Sequence, residues 1–273
     1  MKHNIFLIIF SIGMIYGPFS VPSCNKLIEQ AVSMSEGNTS EKLSEAEIVK
    51  GLKTALKVGT DSSVTVTSRI NGFYRDEAIK ILLPPEASVI YENKDHPLVR
   101  ALGMDEKINE AVLALNRAAE DAAKTAGPIF KDAITGMSVS DGLSILRGGN
   151  PADPSTSGFD STAATAYLNS TKREELRNEF KPVVNASLDK KVVGNFSPNQ
   201  VWNSMTSAYN NVAKRSLGTI KPIENTDLGA YVTEKALDGL FYKVAQEEKK
   251  IRKDPMSWAR TAVGDILKRV FGE

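Results

Sequence analysis

Cysteine and histidine are almost absent from this chain of 273 residues. It has one cysteine, Cys24, and two histidines, His3 and His96. One cysteine excludes an intramolecular disulfide, and so few thiols and imidazoles exclude a Cys/His zinc site. A Ser-His-Asp triad in the body of the chain would have to use His96. We expect His96 to be a solvated loop residue or a helix C-terminal cap, because a catalytic base needs a fixed partner on a rigid element.

The chain also lacks an excess of charge of either sign. Lysine and arginine number 34 against 33 aspartate and glutamate, which gives a formal net charge of +1. Nucleic-acid binders usually carry a clear basic excess, because neutralising phosphates supplies most of the affinity. The composition therefore argues against a nucleic-acid partner. Hydrophobic residues at 41% and charged residues at 25% are typical of a globular protein with a sizeable core.

The first 23 residues have the order of an export signal. Lys2 and His3 precede an apolar run at residues 5–16, and a Gly-Pro turn follows the run. The run is about a dozen residues long, whereas a helix that crosses a bilayer needs about twenty. We therefore predict a signal segment at residues 1–23.

The signal segment is followed at once by the only cysteine. Residues 21–24, Val-Pro-Ser-Cys, resemble the lipobox of bacterial lipoproteins, in which the cysteine becomes the first residue and carries the lipid; Pro22 departs from that pattern. An exported protein with one unpaired thiol is otherwise difficult to explain. The resemblance implies lipidation at Cys24, with the membrane as a partner through the lipid anchor. Because Asn25 rather than aspartate follows, it implies a location in the outer membrane, facing the periplasm.

The rest of the chain predicts an all-α fold, with a flexible tether at residues 24–44 and one multi-helix domain at 45–273. Ser44 is the predicted N-cap of the first helix, with Glu47 as its capping-box partner. A stripe of apolar residues at spacings of three and four predicts a helix at about 105–126: Ile108, Val112, Leu115, Ala119 and Ala122. Further helices are predicted at about 128–136, 138–147, 161–170, 172–190, 198–216, 227–252 and 255–271.

Residues 60–83 fit two structures. The β-branched alternation at 64–67 and the turn signal Asn71-Gly72 indicate a hairpin, whereas a polar cap at 60–61 indicates a helix. An isolated hairpin would be marginal without further strands, and the sequence shows none. We favour a helix, followed by an extended segment that ends at the Pro-Pro pair. The fold then contains at most a short extended or hairpin segment around 64–83.

Six motifs occur in order along the body of the chain: 51–56, 79–86 (IKILLPPE), 116–120, 129–134, 235–241 and 247–255. Together they resemble an uncharacterised family of bacterial envelope proteins, domain-of-unknown-function family 4197, over about residues 46–273. The loop after Gly148-Gly149 is longer here than in the family pattern. The resemblance implies a helical envelope protein and no particular reaction, so no catalytic residue is carried over.

Asn116, Arg117 and Glu120 are the candidate ligand-binding residues. Their spacing on one helix lets Arg117 pair with Glu120 or Asp121. Asn116 follows Val112 of the apolar stripe by four residues, so it is expected to face inward. A buried asparagine usually satisfies a backbone group or fixes helix register. A polar network between helices that binds a ligand is the alternative.

Two charged segments also have competing interpretations. Residues 247–253 run from acidic to basic, which is typical of a solvated helix face. The last helix, at 255–271, has one apolar and one basic side. It could lie on anionic lipid, but packing on the core is favoured because most amphipathic helices in globular proteins pack in that way. Membrane contact would require its apolar face to be exposed in the folded domain.

These observations predict a membrane-anchored protein of the cell envelope that is a non-enzymatic binding or structural module. Its partner would be an envelope protein or an apolar ligand in a groove between helices. The alternative is a hydrolase or transferase. It would depend on carboxylate or Ser/Lys chemistry, because histidine and cysteine, the commonest bases and nucleophiles, are nearly missing. No cofactor, metal site or catalytic residue is predicted.

Overall fold

The protein is built from helices, some of which begin with a side-chain N-cap: Ser44, His96, Ser197 and Asp227. The computed structural model describes residues 43–139, 142–149, 158–224, 226–258 and 264–272. The predicted signal segment, Cys24 and all but the last two residues of the predicted tether lie outside these ranges. Within them the chain forms α-helices and no β-sheet, so the prediction of an all-α fold is confirmed.

Ten α-helices are formed in this part of the chain. They are α1 (Glu45–Thr67), α2 (Ser88–Glu92), α3 (Pro97–Arg100), α4 (Met104–Ala123), α5 (Ala126–Gly136), α6 (Gly142–Leu146), α7 (Ala163–Asp189), α8 (Pro198–Arg215), α9 (Leu228–Lys253) and α10 (Gly264–Phe271). Short 3-10 turns occur at Pro85–Ala87 and Pro255–Trp258. None of the described helices is long and apolar enough to cross a membrane.

Helix α1 begins with the predicted capping box. The Ser44 hydroxyl accepts a hydrogen bond from the N–H of Glu47, and the Glu47 carboxylate accepts one from the N–H of Ser44. The helix then continues without a break to Thr67, so the prediction of a new cap at 60–61 is wrong. Hydroxyls of the β-branched run are satisfied inside the helix by bonding backwards, as Thr67 does to the carbonyl of Ser63. No hairpin forms here.

Helices α1, α4, α7 and α9 enclose most of the core. Helix α9 packs on α1 and α7, while α4 packs on α7 and α8. Every residue of the predicted apolar stripe on α4 is buried. Large buried side chains from all parts of the chain complete the core, among them Phe73, Phe130, Phe180 and Tyr209.

Helix α7 is continuous where the sequence predicts two helices. Ser170 and Thr171, at the predicted break, donate their hydroxyl hydrogens to the carbonyl of Tyr167. Such backward bonds satisfy the hydroxyls of short polar side chains that lie within a continuous helix. Pro182 also lies within this helix.

Other boundaries also differ from the predicted ones. The helix predicted at 138–147 is α6, Gly142–Leu146, and residues 138–139 are not helical. Gly127-Pro128, the predicted end of one helix, lies in the first turn of α5, where the missing N–H of proline costs no helical hydrogen bond. The predicted last helix at 255–271 is a 3-10 turn at its start and α10 at its end.

Candidate functional site

A groove open to solvent lies between residues 78–85 and the first half of α9. Its volume is about 570 Å³. The groove is lined by Ala78, Ile79, Lys80, Leu82, Leu83, Pro85, Tyr231, Lys235, Asp238, Gly239 and Tyr242. Two of the family-like motifs, 79–86 and 235–241, supply most of these residues. We call this feature the 78–85 groove.

One wall of the groove is an extended segment. Ile79, Ile81 and Leu83 are buried, whereas Leu82 between them is 60% exposed. Successive side chains point to opposite sides, which is the geometry of a strand. This is the extended segment that the sequence predicts before the Pro-Pro pair, although no neighbouring strand accompanies it in the described residues.

Asn116 of α4 takes the place of that neighbouring strand. Its Oδ1 accepts a hydrogen bond of 2.9 Å from the N–H of Ile81, and its Nδ2 donates one of 2.7 Å to the carbonyl of Ile81. Nδ2 also donates to the carbonyl of Val112 in its own helix. The buried amide therefore satisfies both main-chain groups of a residue that has no other backbone partner among the described residues.

Glu120 and Arg117, on the same helix, hold the turn that precedes the extended segment. Glu120 Oε1 accepts hydrogen bonds of 3.1 Å from the N–H groups of Phe73 and Tyr74. Arg117 pairs with the other oxygen of Glu120 and donates a 3.0 Å hydrogen bond to the side chain of Asn71. Asn71 has a φ of 69°, a left-handed conformation that asparagine tolerates better than most residues. Arg117 thus pairs with Glu120, the first of its two predicted partners.

Tyr231 of α9 holds the segment from the opposite side. Its hydroxyl donates to the carbonyls of Leu82 and Leu83, at 3.0 and 3.2 Å. Burial raises the pKa of Tyr231, and the nearby negative charge of Glu86 raises it further. The phenol therefore keeps its proton and remains a donor at neutral pH.

The floor of the groove depends on a close approach of the α9 backbone to the side chains of Phe73 and Ile79. A Cβ at Gly239 would lie 2.6 Å from Cε1 of Phe73 and 3.2 Å from Cβ of Ile79. Only glycine lets α9 come so near to the segment. The groove is therefore a built part of the fold, fixed by Asn116 on one side and by Tyr231 on the other.

The charged groups at the rim of the groove are largely paired with one another. Arg173 of α7 donates to Glu234 at 2.7 Å and to Asp238 at 2.6 Å, and Arg177 also pairs with Glu234. The ammonium of Lys235 lies 3.9 Å from Asp238. These charges form a half-exposed network across α7 and α9.

The electrostatics of this network favour the ionised forms. Partial burial acts to raise the pKa of Glu234, but hydrogen bonds and positive charge from Arg173 and Arg177 outweigh it, and the net pKa is lowered. Burial acts to lower the pKa of Arg173, but Glu234 and Asp238 leave it raised. A general acid or base works best with a pKa near the ambient pH, and pairing moves these groups away from it.

The predicted ligand-binding residues lie together directly behind the groove. All the hydrogen bonds of Asn116, Arg117 and Glu120 connect α4 with the backbone or side chains of residues 71–81, apart from the bonds within α4 itself. The Tyr74 ring contacts one residue of this set and one lining residue of the groove, with Arg117 and Lys80 at 5.8 and 5.1 Å from its centroid. A ligand role for the three residues stays a prediction.

The sequence alone does not identify the residues of α9 that line the groove, such as Tyr231 and Lys235. It does contain the motif at 235–241 as one of the six family-like motifs. What the sequence does not show is that this motif faces residues 78–85, about 150 positions earlier in the chain, because only tertiary packing brings them together.

A second polar cluster is buried elsewhere on α9. The carboxylate of Glu248, 1% exposed, accepts hydrogen bonds from the N–H groups of Ala164 and Thr165 at the start of α7. It also pairs with Arg252 at 2.8 Å, and Arg252 donates to the carbonyl of Leu146. The prediction that 247–253 forms a solvated face is therefore wrong for this pair. The signal was available, since Glu248 continues the apolar face of α9 at helical spacing.

Helix α10 packs on the core. Leu267 and Val270 are buried, against α1 and the end of α9. The described part of its apolar face is thus covered, which contradicts the hypothesis that this face lies on lipid.

The single histidine of the described residues has a structural position. His96 is the N-cap of α3, and its Nδ1 accepts a hydrogen bond of 3.3 Å from the N–H of Leu98. It begins a helix instead of ending one. No group of three or more His, Cys, Asp or Glu side chains among the described residues is arranged to hold a metal ion.

Fold and groove together define a class: an all-α protein with a solvent-open groove between an extended segment and a helix. The family model described as "Protein of unknown function (DUF4197)" matches residues 42–272. The chain therefore belongs to this family, and the resemblance drawn from the six motifs is confirmed. Comparisons with curated proteins and with solved structures give no match.

Proposed function

We propose that this protein is a non-enzymatic binding module of the bacterial cell envelope, held at a membrane by a lipid on Cys24. The 78–85 groove is its binding surface. The observation that carries the proposal is the construction of the groove. Two side chains from different helices, Asn116 and Tyr231, hold an extended segment so that Leu82 stays exposed beside α9.

The composition of the groove supports binding over catalysis. Leu82 and Tyr242 are large apolar or aromatic side chains that are 60% and 42% exposed, and exposed apolar surface beside a polar rim is typical of interaction sites. Asp238, the carboxylate among the lining residues, is paired with Arg173, and Glu234 beside it is paired with Arg173 and Arg177. Such pairing removes the free base that the hydrolase or transferase alternative requires.

The envelope location is supported by the sequence alone. The export signal and the lipobox-like residues 21–24 would place the lipid at the start of a tether of about twenty residues. A flexible tether of that length spans about 25 Å on average. The domain would then be free to present the groove to partners near the membrane surface.

Photo-crosslinking in intact cells tests this function. The photoreactive amino acid p-benzoylphenylalanine replaces Tyr242 in the groove and, as a matched control, Tyr91, which is 51% exposed on α2. We expect a discrete adduct from position 242 that is absent from position 91. Adducts of equal yield and mass at both positions, or none at position 242, would contradict the groove as the binding surface.

A further inference from the structure

Residues 214–221, the end of α8 and the turn that follows it, expose a leucine almost completely. We call them the 214–221 turn. Leu217 is 96% exposed, so it buries almost none of its apolar surface in the fold. Its φ of 52° is left-handed, a conformation that bulky residues rarely adopt and that glycine usually supplies after the end of a helix. Strained residues of this kind concentrate at sites that contact something else.

The turn that presents Leu217 is fixed at both ends. The Ser216 hydroxyl donates a 2.7 Å hydrogen bond to a carbonyl of the last turn of α8 and accepts one of 3.0 Å from the N–H of Ile220. Asn210 of α8 pairs with both main-chain groups of Ile223, at 2.7 and 3.0 Å. Ile220 and Ile223 are themselves buried. Leu217 is therefore held outwards by an ordered turn, and little conformational entropy is lost when it meets a partner.

Only positive charge flanks Leu217 along the chain. No acidic residue occurs at positions 190–223, although the whole chain carries 33 acidic residues against 34 basic ones. Lys214, Arg215 and Lys221 are exposed and form no ion pair with another described residue. The first two also suit the C-terminal end of α8, where cations stabilise a helix. Lys221 lies outside any helix, so the helix dipole does not account for it.

An exposed leucine among unpaired cations matches the interface of an anionic bilayer. An apolar side chain gains by entering hydrocarbon, and each lysine or arginine near the headgroups is attracted by anionic lipid. A nucleic acid would pair with the cations but offers no hydrocarbon to the leucine. A specific protein partner usually needs a broader surface than one side chain at a turn. One apolar tip with three cations therefore favours a lipid surface.

We propose that the 214–221 turn is a contact of the folded domain with an anionic membrane. Leu217 enters the outer part of the hydrocarbon, and the three cations of the turn lie at the lipid phosphates. This contact goes beyond the proposed function, because none of these residues lines the 78–85 groove. It would orient the domain on the bilayer, which a flexible tether by itself does not do.

Tryptophan fluorescence tests this contact, because bromine on the acyl chains quenches a tryptophan that enters the hydrocarbon. The full chain, purified from membranes, is reconstituted with vesicles of phosphatidylethanolamine and brominated phosphatidylglycerol. Leu217→Trp carries the probe. The wild type, which already contains Trp202 and Trp258, gives the background to be subtracted. Circular dichroism verifies that each variant folds.

Phe159→Trp is the matched control. Phe159 is 69% exposed and lies shortly before α7, whose first residues bond to Glu248 near the end of α9. The 214–221 turn lies shortly before the beginning of α9. Twenty residues of helix, or about 30 Å, separate Glu248 from that beginning. The control therefore places the same probe on an exposed site far from the proposed contact.

We expect the fluorescence added by Leu217→Trp to fall about twofold or more when brominated lipid replaces unbrominated lipid, because an interfacial side chain reaches the acyl boundary. The fluorescence added by Phe159→Trp should stay unchanged. Raising the salt from about 0.1 M to about 1 M should weaken the quenching, because the Debye length falls from about 10 Å to about 3 Å.

Two triple substitutions test the charge in the Leu217→Trp chain. Glutamine at all three cations of the 214–221 turn should abolish the quenching. The control places glutamine at three exposed lysines of other helices that form no ion pair with a described residue, and it should preserve the quenching: Lys50, Lys249 and Lys253.

Four results would overturn the inference. The first is no quenching of Leu217→Trp, and the second is equal quenching in the two tryptophan variants. The third is quenching that persists in vesicles of neutral phosphatidylcholine or after the cations of the turn are replaced. The fourth is an equal loss in the two triple variants, which would indicate attraction by the charge of the whole domain. If the crosslink at Tyr242 forms while Leu217→Trp stays unquenched, the groove keeps its function and only the membrane contact is refuted.

Discussion

The side-chain amide of Asn116 pairs with both main-chain groups of Ile81, at 2.9 and 2.7 Å, although 35 residues separate them in the chain. An amide group presents one acceptor and one donor side by side, as the backbone of a neighbouring strand does. One residue of a helix therefore fixes the extended segment that forms the groove. The stability of the fold and the shape of the groove depend on the same contact.

Replacing Asn116 with alanine should destabilise the protein by about 2–4 kcal/mol, because it leaves the N–H and C=O of Ile81 buried and unpaired. Urea denaturation followed by circular dichroism measures the change. Asn203→Ala is the matched control, since Asn203 is exposed on α8. It should change the free energy of unfolding by less than about 0.5 kcal/mol. Equal effects of the two substitutions would show that the pairing with Ile81 does not stabilise the fold.

Replacing Glu248 with alanine should cost about 3–5 kcal/mol, because the guanidinium of Arg252 would remain buried without its counter-charge. The start of α7 would lose its acceptor as well. Glu247→Ala is the neighbouring control. Glu247 pairs with the exposed Lys250 and should contribute about 1 kcal/mol or less. The double variant Glu248→Leu with Arg252→Met should recover most of the lost free energy of unfolding, because it leaves no unpaired charge buried. If it does not recover, the unpaired charge of Arg252 is not the cause of the loss.

Gly51→Ala should loosen the contact between α1 and α10. The added Cβ would lie 2.5 Å from Cγ2 of Val270, so the two helices must separate at a cost of about 1–3 kcal/mol. Gly59→Ala, in the same helix, is the control. Its Cβ would meet only an ordinary contact of 3.4 Å, and alanine favours the helix by up to about 1 kcal/mol. Thermal unfolding should therefore shift in opposite directions, and Val270→Ala should rescue the Gly51 variant.

Asp121 should make stability depend on pH. Burial acts to raise its pKa, but Lys124 and Lys190 outweigh this and the net pKa is lowered in the folded protein. The resulting stability is present above the ordinary carboxyl pKa near 4 and is lost as pH falls through the lower folded value. Asp121→Asn should therefore lower the urea midpoint at pH 7, and its difference from the wild type should shrink below about pH 4. A difference that stays constant between pH 7 and pH 3 would contradict this account.

The proposed lipid anchor predicts how Cys24 is modified and where the protein fractionates. Mass spectrometry of the intact protein extracted from membranes should show a chain that begins at Cys24 and carries added lipid mass. Cys24→Ser should move the protein from the membrane fraction to the soluble fraction. An unmodified cysteine, or a cut elsewhere, would contradict anchoring and indicate a secreted periplasmic protein.

Helices could be predicted from the sequence where caps and apolar spacing within the same segment define them. The capping box at Ser44 and the apolar stripe of α4 define their helices from neighbouring residues alone. The inward direction of Asn116 followed from the same stripe. Its partner did not, because no local pattern connects residue 116 to residue 81. A groove was predicted, but its position was not, because its two walls meet only after α9 has packed on the rest of the chain.

Polar residues at helical positions misled the sequence analysis in two ways. Serines and threonines near 60–67 and 170–171 resemble caps but lie inside continuous helices, where Thr67 and Thr171 bond backwards to main-chain carbonyls and Thr60 makes no side-chain hydrogen bond to a described residue. Glu248 resembles one more member of a surface charge run, but it lies on the buried face of α9. It can be buried because N–H groups of α7 donate hydrogen bonds to its carboxylate. A charged side chain can therefore be buried where hydrogen-bond donors compensate for its lost hydration.

The lone extended segment also bears on aggregation. A free strand edge is a template for other chains, and proteins usually shorten or charge such edges. Here Pro84 follows Leu83 at once and offers no N–H, so the ladder cannot extend beyond that point. Lys80 sets a positive charge at the other end. On the side of α9, Tyr231 covers the carbonyls of Leu82 and Leu83, so little of the segment is left to pair with another chain.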